Sequence, residues 1–125
     1  MVDFAQAAER LIKAYNRKDF KGMEALIAPD IDFAHFNRDF VLSDRNALLE
    51  VLGGFAKSYV PDRHFEVPER VTVAGSIVVR EAWYVGTAAV DLPGFGAAGE
   101  GFRLKFCSVM RFDAEGVLVE WKDHG

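Results

Sequence analysis

The chain has 125 residues, enough for one hydrophobic core but too few for two independent cores, so a single domain over residues 1–125 is expected. Half of the residues are hydrophobic and eleven are phenylalanines, which predicts either a thick core or an apolar cavity lined by aromatic rings. The formal net charge of −4 argues against nucleic acid as a partner, because phosphate binding requires a basic surface.

The N-terminal segment and the cysteine usage indicate a cytoplasmic protein. Residues 1–5 contain no basic segment followed by a long apolar run, so no signal peptide is predicted. The sequence has no stretch of about twenty apolar residues, which predicts no contact with a membrane. Cys107 is the single cysteine and cannot form an intramolecular disulfide, which fits a reducing compartment.

Helical periodicity dominates the first half of the chain, where three helices are predicted. Asp3 is placed to cap the first helix, whose apolar residues recur on one face. Asp19 is placed to cap a second, shorter helix that ends at Ala28-Pro29. Ser43 or Asp44 is expected to cap the third helix.

Period-two alternation, typical of strands, replaces the helical period after Pro61. An earlier short strand is predicted where Ile31, Phe33 and His35 alternate with other residues. The later strands are predicted at about 63–74, 76–90, 101–113 and 117–123. Helices first and long antiparallel strands afterwards predict an α+β fold. Its helices would cover one face of a strongly curved sheet and leave an apolar cavity at the open end.

The motifs favour neither a nucleotide site nor a metal site. Residues 94–99 match the letters of the dinucleotide-binding fingerprint, but a strand follows them, so no helix N-terminus would face a pyrophosphate. The three histidines, His35, His64 and His124, are far apart and show no metal-ligand spacing. We therefore predict that the protein needs neither a metal nor another cofactor.

Polar side chains on the strands form a candidate acid–base site. If His35, Arg80 and Asp123 converge, His35 can transfer a proton, Asp123 can orient it, and Arg80 can hold an anion or a developing oxyanion. Alternation does not decide which face of the strand from Ser76 is inward, because both faces are mixed. The residues predicted to bind the substrate are Tyr15, Phe33, Tyr84, Phe106, Ser108 and Trp121.

Each of these assignments has a structural alternative. His35 could be satisfied by a backbone carbonyl, and Arg80 could pair with Asp123 as an ion pair without a chemical role. Tyr84, Ser108 and Trp121 could form the wall of the cavity without taking part in chemistry. The opposite face of the third long strand carries Arg103, Lys105, Cys107, Val109 and Arg111. We expect this mixed surface to form a homodimer interface.

Five loose motifs follow one another along the chain. They are residues 14–20, 26–33, 61–62, 85–87 and 112–123. In order and spacing they resemble the SnoaL-like family of the nuclear transport factor 2-like superfamily, over nearly the whole sequence. The resemblance implies a conical, cystatin-like sheet with three helices, and commonly a homodimer built on the sheet. The family contains polyketide cyclases, ketosteroid isomerases, limonene epoxide hydrolases, dehydratases and non-catalytic binding domains, so the fold alone assigns no reaction.

At the positions that would carry the chemistry, this sequence differs from two of these enzyme classes. His35 stands where the resemblance to a ketosteroid isomerase would require the proton-shuttling aspartate, and Ser108 replaces the oxyanion-hole aspartate. A limonene-type epoxide hydrolase would require Arg-x-Asp, whereas this sequence reads Arg80-Glu81-Ala82. The fit is closest to the general SnoaL-like class, in which a histidine and an aspartate in the cavity serve as acid and base.

Two hypotheses therefore remain open. The first is a cofactor-independent isomerase, cyclase, dehydratase or hydrolase that acts on a small, mostly apolar compound. The second is a non-catalytic dimeric module that binds such a compound in the same cavity.

Overall fold

The computed structural model describes residues 2–125 and contains three α-helices and a seven-stranded sheet. The elements in chain order are α1 (Phe4–Asn16), α2 (Phe20–Leu26), β1 (Ile27–His35), β2 (Phe40–Leu42), α3 (Arg45–Gly54), β3 (His64–Phe65), β4 (Arg70–Ala74), β5 (Ile77–Thr87), β6 (Gly101–Phe112) and β7 (Leu118–His124). A 3-10 turn (Phe36–Arg38) follows β1, and a π-helical turn (Phe55–Tyr59) extends α3. This arrangement confirms the predicted α+β class.

An aspartate caps each helix, as the sequence predicts. The Asp3 carboxylate accepts a hydrogen bond from the Gln6 amide (3.1 Å), and the Asp19 carboxylate accepts one from the Gly22 amide (2.9 Å). At α3 the cap is Asp44 rather than the alternative Ser43, since Asp44 accepts from the backbone N–H of residue 47 (2.9 Å). These bonds satisfy amides that have no partner inside the helix, which fixes where each helix begins.

The sheet is mixed and runs in the order β2-β1-β7-β6-β5, and β3 and β4 both pair with β5. β1 and β7 are parallel, whereas the other neighbours are antiparallel. Within residues 2–125 the sheet does not close on itself. The inner face of β5 is now defined, because Val78, Arg80, Ala82 and Tyr84 are buried. The core packs between this face and the helices.

The prediction of one continuous strand at 63–74 was wrong, since two separate strands, β3 and β4, occupy this region. The chain leaves the ladder between β3 and β4, where Pro68 lacks the N–H that a paired strand requires. β2 was not predicted, and β5 ends at Thr87 rather than near residue 90. The second helix also ends earlier than expected, because Ile27 already pairs with Leu118 as part of β1.

A bulge in β7 sets the direction of its side chains. Arg111 lies opposite Glu120 and Phe112 lies opposite Leu118, so Val119 is an extra residue without a partner of its own in this register. Strict alternation would place Leu118 on the face opposite Trp121 and Asp123, so it fails at this point. Leu118, Trp121 and Asp123 are all buried on the inner face.

Candidate functional site

A pocket of about 210 Å³ opens on the inner face of the sheet. Its wall is formed by the end of α1, by α3 with its π-helical turn, by the loop before β6 and by the inner face of the strands. The lining residues are Tyr15, Phe33, His35, Arg38, Phe40, Val51, Leu52, Phe55, Phe65, Tyr84, Phe95, Phe106, Trp121 and Asp123. Most of this surface is aromatic, and its polar groups come from six side chains: two tyrosines, one histidine, one arginine, one aspartate and the indole N–H of one tryptophan.

The parallel pairing of β1 and β7 brings His35 and Asp123 together. Their Cα atoms are partners in the register, two positions beyond the pair formed by Phe33 and Trp121. Both side chains line the pocket, but they do not hydrogen-bond each other, since neither ring nitrogen of His35 has a partner among the described residues. Two adjacent groups that both still have hydrogen-bonding capacity therefore lie in the wall of the pocket.

Asp123 is a buried carboxyl group whose proton affinity is raised. It is 4% exposed, and its Oδ1 accepts a hydrogen bond from the indole N–H of Trp121 (2.8 Å). Burial raises the pKa of Asp123 to about 6, although hydrogen bonds from Ser108 and Trp121 act in the opposite direction. The group consequently changes charge near neutral pH, where a general acid or base is most effective.

The His35 imidazole is neutral at neutral pH. Burial and the positive charge of Arg38 lower the pKa of His35 to about 4. Its ring packs edge-to-face on Phe106, with ring centroids 5.0 Å apart. A neutral imidazole offers one donor and one acceptor, and both nitrogens are sheltered from solvent here.

Two tyrosine hydroxyl groups meet in the same pocket. The Tyr15 and Tyr84 hydroxyl oxygens are 2.8 Å apart, and either can donate to the other. Only one of their two protons is used in this bond, so the pair can donate the other to a ligand oxygen. Burial raises the pKa of Tyr15 to about 12 and that of Tyr84 well above its usual value, so both stay protonated as donors.

A buried cation supports Tyr15 from outside the pocket. The Arg63 guanidinium lies 3.6 Å from the centroid of the Tyr15 ring and donates to the Tyr15 backbone carbonyl. Arg63 is 1% exposed and forms no ion pair within residues 2–125. Its charge lowers the pKa of both tyrosines, but less than burial raises it.

Seven of the nine residues selected from the sequence line the pocket, and Arg80 and Ser108 do not. Arg80 is buried on the inner face of β5, but its Nη2 donates to the Glu9 carboxylate of α1 (2.9 Å). It therefore neither joins His35 nor pairs with Asp123. Ser108 lies behind the pocket, where it is the register partner of Asp123 on β6 and hydrogen-bonds its carboxyl group.

The sequence reasoning missed the cation of the pocket, which is Arg38. It also missed Phe40, Phe55, Phe65 and Phe95. Arg38 and Phe95 lie in a 3-10 turn and a loop, where no periodicity shows which way a side chain points. The signal that could have found Arg38 is its place three residues after His35 at the end of a strand.

Two further structural observations concern classes of partner. Within residues 2–125, no group of three or more His, Cys, Asp and Glu side chains is placed to hold a metal ion. None of the helices in this part of the chain is long and apolar enough to cross a membrane.

Comparison with known proteins identifies the family of this chain and several structures with a similar fold. A sequence model described as the SnoaL-like domain matches residues 8–121. No functionally curated protein gives a significant match. The fold is similar to that of a proposed polyketide cyclase from Xanthomonas campestris pv. campestris, with a TM-score of 0.83 and 20% identity over 98% of this chain and 89% of the other.

Two other solved structures are similar at comparable length. An NTF2-like protein of unknown function from Burkholderia pseudomallei has a TM-score of 0.79 and 21% identity, over 99% of this chain and 91% of the other. An LEH-like epoxide hydrolase from M. tuberculosis has a TM-score of 0.76 and 16% identity, over 97% and 80%. At these identities the similarity shows a shared fold, not a shared reaction.

Proposed function

This chain belongs to the SnoaL-like domain family, and we propose that it catalyses isomerisation or ring closure of a small, mostly apolar compound without a cofactor. The observation that carries the proposal is the position of the buried Asp123 carboxyl group. It lies in an aromatic pocket beside the neutral His35 and shares that pocket with a pair of hydroxyl donors. Similar folds that are described as cyclases and as an epoxide hydrolase support small-molecule chemistry as the general class.

The proposed mechanism gives each polar group one task. Asp123 removes a proton from a carbon atom next to a carbonyl group of the substrate, since its pKa of about 6 leaves it ionised at neutral pH. The free proton of the Tyr15–Tyr84 pair hydrogen-bonds the carbonyl oxygen as negative charge develops there. In an isomerisation the protonated Asp123 returns the proton to another carbon of the enolate. In a ring closure the enolate attacks a second carbonyl of the same molecule, and the alkoxide that forms takes the proton from Asp123.

Several residues are proposed to act through others or to shape the pocket. His35 orients the substrate or the Asp123 carboxyl group through its two unpartnered nitrogens. Ser108 and Trp121 hold the carboxylate by hydrogen bonds. Phe33 and Phe106 form the apolar wall. Arg80 takes no part in the chemistry, because its guanidinium is engaged by Glu9.

Hydrogen–deuterium exchange tests the proton-abstraction step without knowledge of the natural substrate. We expect the protein to accelerate exchange of the acidic C–H of 2-tetralone, a small apolar ketone, in deuterated buffer observed by NMR. Asp123→Asn should reduce that rate by about 100-fold or more. The matched control is Asp32→Asn, which removes an exposed carboxylate from the neighbouring strand that bonds Lys122 on the outer side.

The alternative is the non-catalytic binding module, favoured by the predominantly aromatic wall of the pocket. It predicts that 2-tetralone quenches the fluorescence of Trp121 in the pocket while exchange stays at the uncatalysed rate. Equal exchange rates in the native protein and in Asp123→Asn would support this alternative and contradict the enzymatic proposal.

We also propose that the protein is a cytoplasmic homodimer. The outer face of β5 and β6 carries Trp83, whose ring lies 4.0 Å from the Arg103 guanidinium and whose indole N–H donates to Glu69 (2.5 Å). Glu69 also accepts from Lys105 (2.6 Å). These contacts fix charged side chains around Trp83 on the outer face, and such a mixed surface suits a self-complementary contact.

A further inference from the structure

The two hydroxyl groups that meet in the pocket belong to tyrosines with different surroundings. The guanidinium group of Arg63 lies over the face of the Tyr15 ring, 3.6 Å from its centroid, and donates to the Tyr15 backbone carbonyl. The Tyr84 ring instead stacks on Phe106, with ring centroids 4.8 Å apart. No cation–ring contact within residues 2–125 involves Tyr84. The pair is therefore asymmetric, although on distance alone either hydroxyl group can be the donor.

The positive charge of Arg63 is not neutralised within the part of the chain that the structure describes. Arg63 is 1% exposed, no carboxylate there forms an ion pair with it, and its Nε and Nη2 have no hydrogen-bond partner. A buried charge acts on nearby groups with little screening by solvent or salt. Burial raises the pKa of Tyr15, and the charge of Arg63 is the strongest influence in the opposite direction. Asp123, the other charged group that acts on the pair, raises the pKa of both tyrosines.

We propose that Arg63 fixes the direction of the hydrogen bond in this pair, so that Tyr15 donates to Tyr84 and Tyr84 donates to the carbonyl oxygen of the ligand. A cation on the face of a phenol ring withdraws electron density from its oxygen, which makes the hydroxyl group a better donor and a poorer acceptor. A hydroxyl group that accepts a hydrogen bond becomes in turn a stronger donor. Arg63 is thus a positioning residue that acts on the ligand through two tyrosines.

This inference rests on the proposed function in one respect, namely that the pocket binds a ketone at the tyrosine pair. It adds which of the two hydroxyl groups contacts the ligand, and it predicts unequal roles for two tyrosines that line the same pocket. The cation of the pocket wall, Arg38, does not set this direction. It lies over the ring of Phe95 rather than over a tyrosine, and its hydrogen bonds go to backbone oxygens.

The carbonyl carbon of bound 2-tetralone reports which tyrosine donates. A hydrogen bond to the oxygen moves the NMR signal of this carbon downfield, so the ketone is labelled with carbon-13 at that position. Tyr84→Phe should abolish the downfield shift and weaken ketone binding by about tenfold. Tyr15→Phe should keep most of the shift and weaken binding by less than about threefold. Tetralin, the parent hydrocarbon without the carbonyl oxygen, is measured by competition and should bind all variants within about threefold of the native protein.

Arg63→Gln tests the role of the charge. It should reduce the carbonyl shift to the value in Tyr15→Phe and lower the rate of ketone exchange by a similar factor, about 3- to 10-fold. In a Tyr15→Phe background it should have little further effect, because the charge acts through the Tyr15 hydroxyl group, whereas a purely structural role would not depend on that group. Arg63→Lys should restore part of the shift, because it keeps the charge.

Arg45→Gln is the matched control. The Arg45 guanidinium also donates to a backbone carbonyl, that of Ile27 (3.1 Å), but it does not line the pocket and contacts no aromatic ring within residues 2–125. The carbonyl shift and the exchange rate should therefore stay at the native values. Thermal melting shows whether each variant is folded.

Several outcomes would overturn the inference. They are a shift that is lost in Tyr15→Phe and kept in Tyr84→Phe, equal loss in both, no shift in the native protein, or no binding of 2-tetralone below about 5 mM. These need no arginine variant, so they decide even if Arg63→Gln does not fold. An unchanged shift in folded Arg63→Gln, or an equal effect of this change with and without the Tyr15 hydroxyl group, would also contradict it.

The inference and the catalytic proposal can fail separately. A carbonyl shift that depends on Tyr84, without any ketone exchange, would keep this inference and reject catalysis. Exchange that requires Asp123 but is unchanged in Tyr84→Phe would keep proton abstraction by Asp123 and reject this inference.

Discussion

His35 and Asp123 are register partners on neighbouring parallel strands, and burial reverses the usual order of their pKa values. The pKa of His35 falls to about 4 and the pKa of Asp123 rises to about 6, because burial disfavours the charged form of each. A proton shared by the two would therefore reside on the carboxyl group. This order is the reason for assigning proton abstraction to Asp123 rather than to His35.

Asp123→Asn should stabilise the fold at pH 7.5. Folding raises the pKa of Asp123 from 3.8 to about 6, so the folded state holds this proton more tightly than the unfolded state does. The resulting stabilisation is complete below about pH 4 and is lost as the pH rises through 6. The ionised carboxylate then costs up to about 3 kcal/mol, which a neutral amide avoids. Urea unfolding should show the variant more stable at pH 7.5 and equal to the native protein near pH 4. A variant less stable at pH 7.5 would contradict this assignment.

The rate of ketone exchange should rise with pH around a midpoint near 6. Asp123 must lose its proton to act as the base, and its pKa is about 6. His35→Gln should lower the rate but leave the midpoint in place, because the pKa of His35 lies near 4. Initial rates by NMR between pH 4.5 and 8 provide the measurement. If the midpoint near pH 6 is lost in His35→Gln, the histidine is the titrating base and the assignment to Asp123 is wrong.

The two tyrosine hydroxyl groups should depend on each other energetically. Tyr15→Phe leaves the Tyr84 hydroxyl buried without its partner, and Tyr84→Phe does the same to Tyr15. Each single change should cost about 1–2 kcal/mol of the free energy of unfolding, whereas the double change should cost less than the sum. A double-mutant cycle in urea measures this coupling. Strictly additive losses would show that the hydroxyl groups do not interact.

The Arg80–Glu9 pair should matter for stability and not for ligands. The Arg80 side chain is 4% exposed, whereas Glu9 is 37% exposed. Glu9→Gln leaves the buried guanidinium without a charge partner and should cost about 2–4 kcal/mol. The melting temperature should fall while the affinity for 2-tetralone and the exchange rate of folded protein stay unchanged. If folded Glu9→Gln instead loses ketone exchange without a fall in melting temperature, Arg80 takes part in the reaction.

Light scattering at micromolar concentration should give about 28 kDa, twice the chain mass of 13.9 kDa. Val109→Asp places a charge in the middle of the outer face of β6, between Val79 and Lys122, and should shift the mass to that of one chain. Glu24→Gln, at an exposed position of α2 away from the sheet's outer face, should leave the mass unchanged. A monomer mass for the native protein would rule out the dimer.

Local signals in the sequence predict much of the fold. Helix caps act within three residues, so Asp3 and Asp19 mark the starts of their helices. β6 follows strict alternation over its whole length, and the predicted inner row, including Phe106, is the buried one. The bulge at Val119 is not visible in this way, because it depends on the register with β6 rather than on the residues of β7.

The site could be predicted only in part, since its groups meet through distant pairings. His35 and Asp123 are adjacent because β1 runs parallel to β7, a contact across most of the chain. Arg80 lies on the same face of β5 as Tyr84, but its guanidinium group pairs with Glu9 of α1 and does not face the pocket. Alternation along one strand shows which side a residue faces, but not which neighbour from another element reaches it first.

The last residue of α1 also closes part of the sheet to other chains. The Asn16 amide group donates to the Phe65 carbonyl (3.0 Å) and accepts from the Phe65 N–H (2.9 Å), as a neighbouring strand would. A free strand edge is where foreign chains add and aggregates begin. Because Asn16 occupies that position on β3, a strand added along β4 cannot continue past it to the end of the sheet that carries the tyrosine pair.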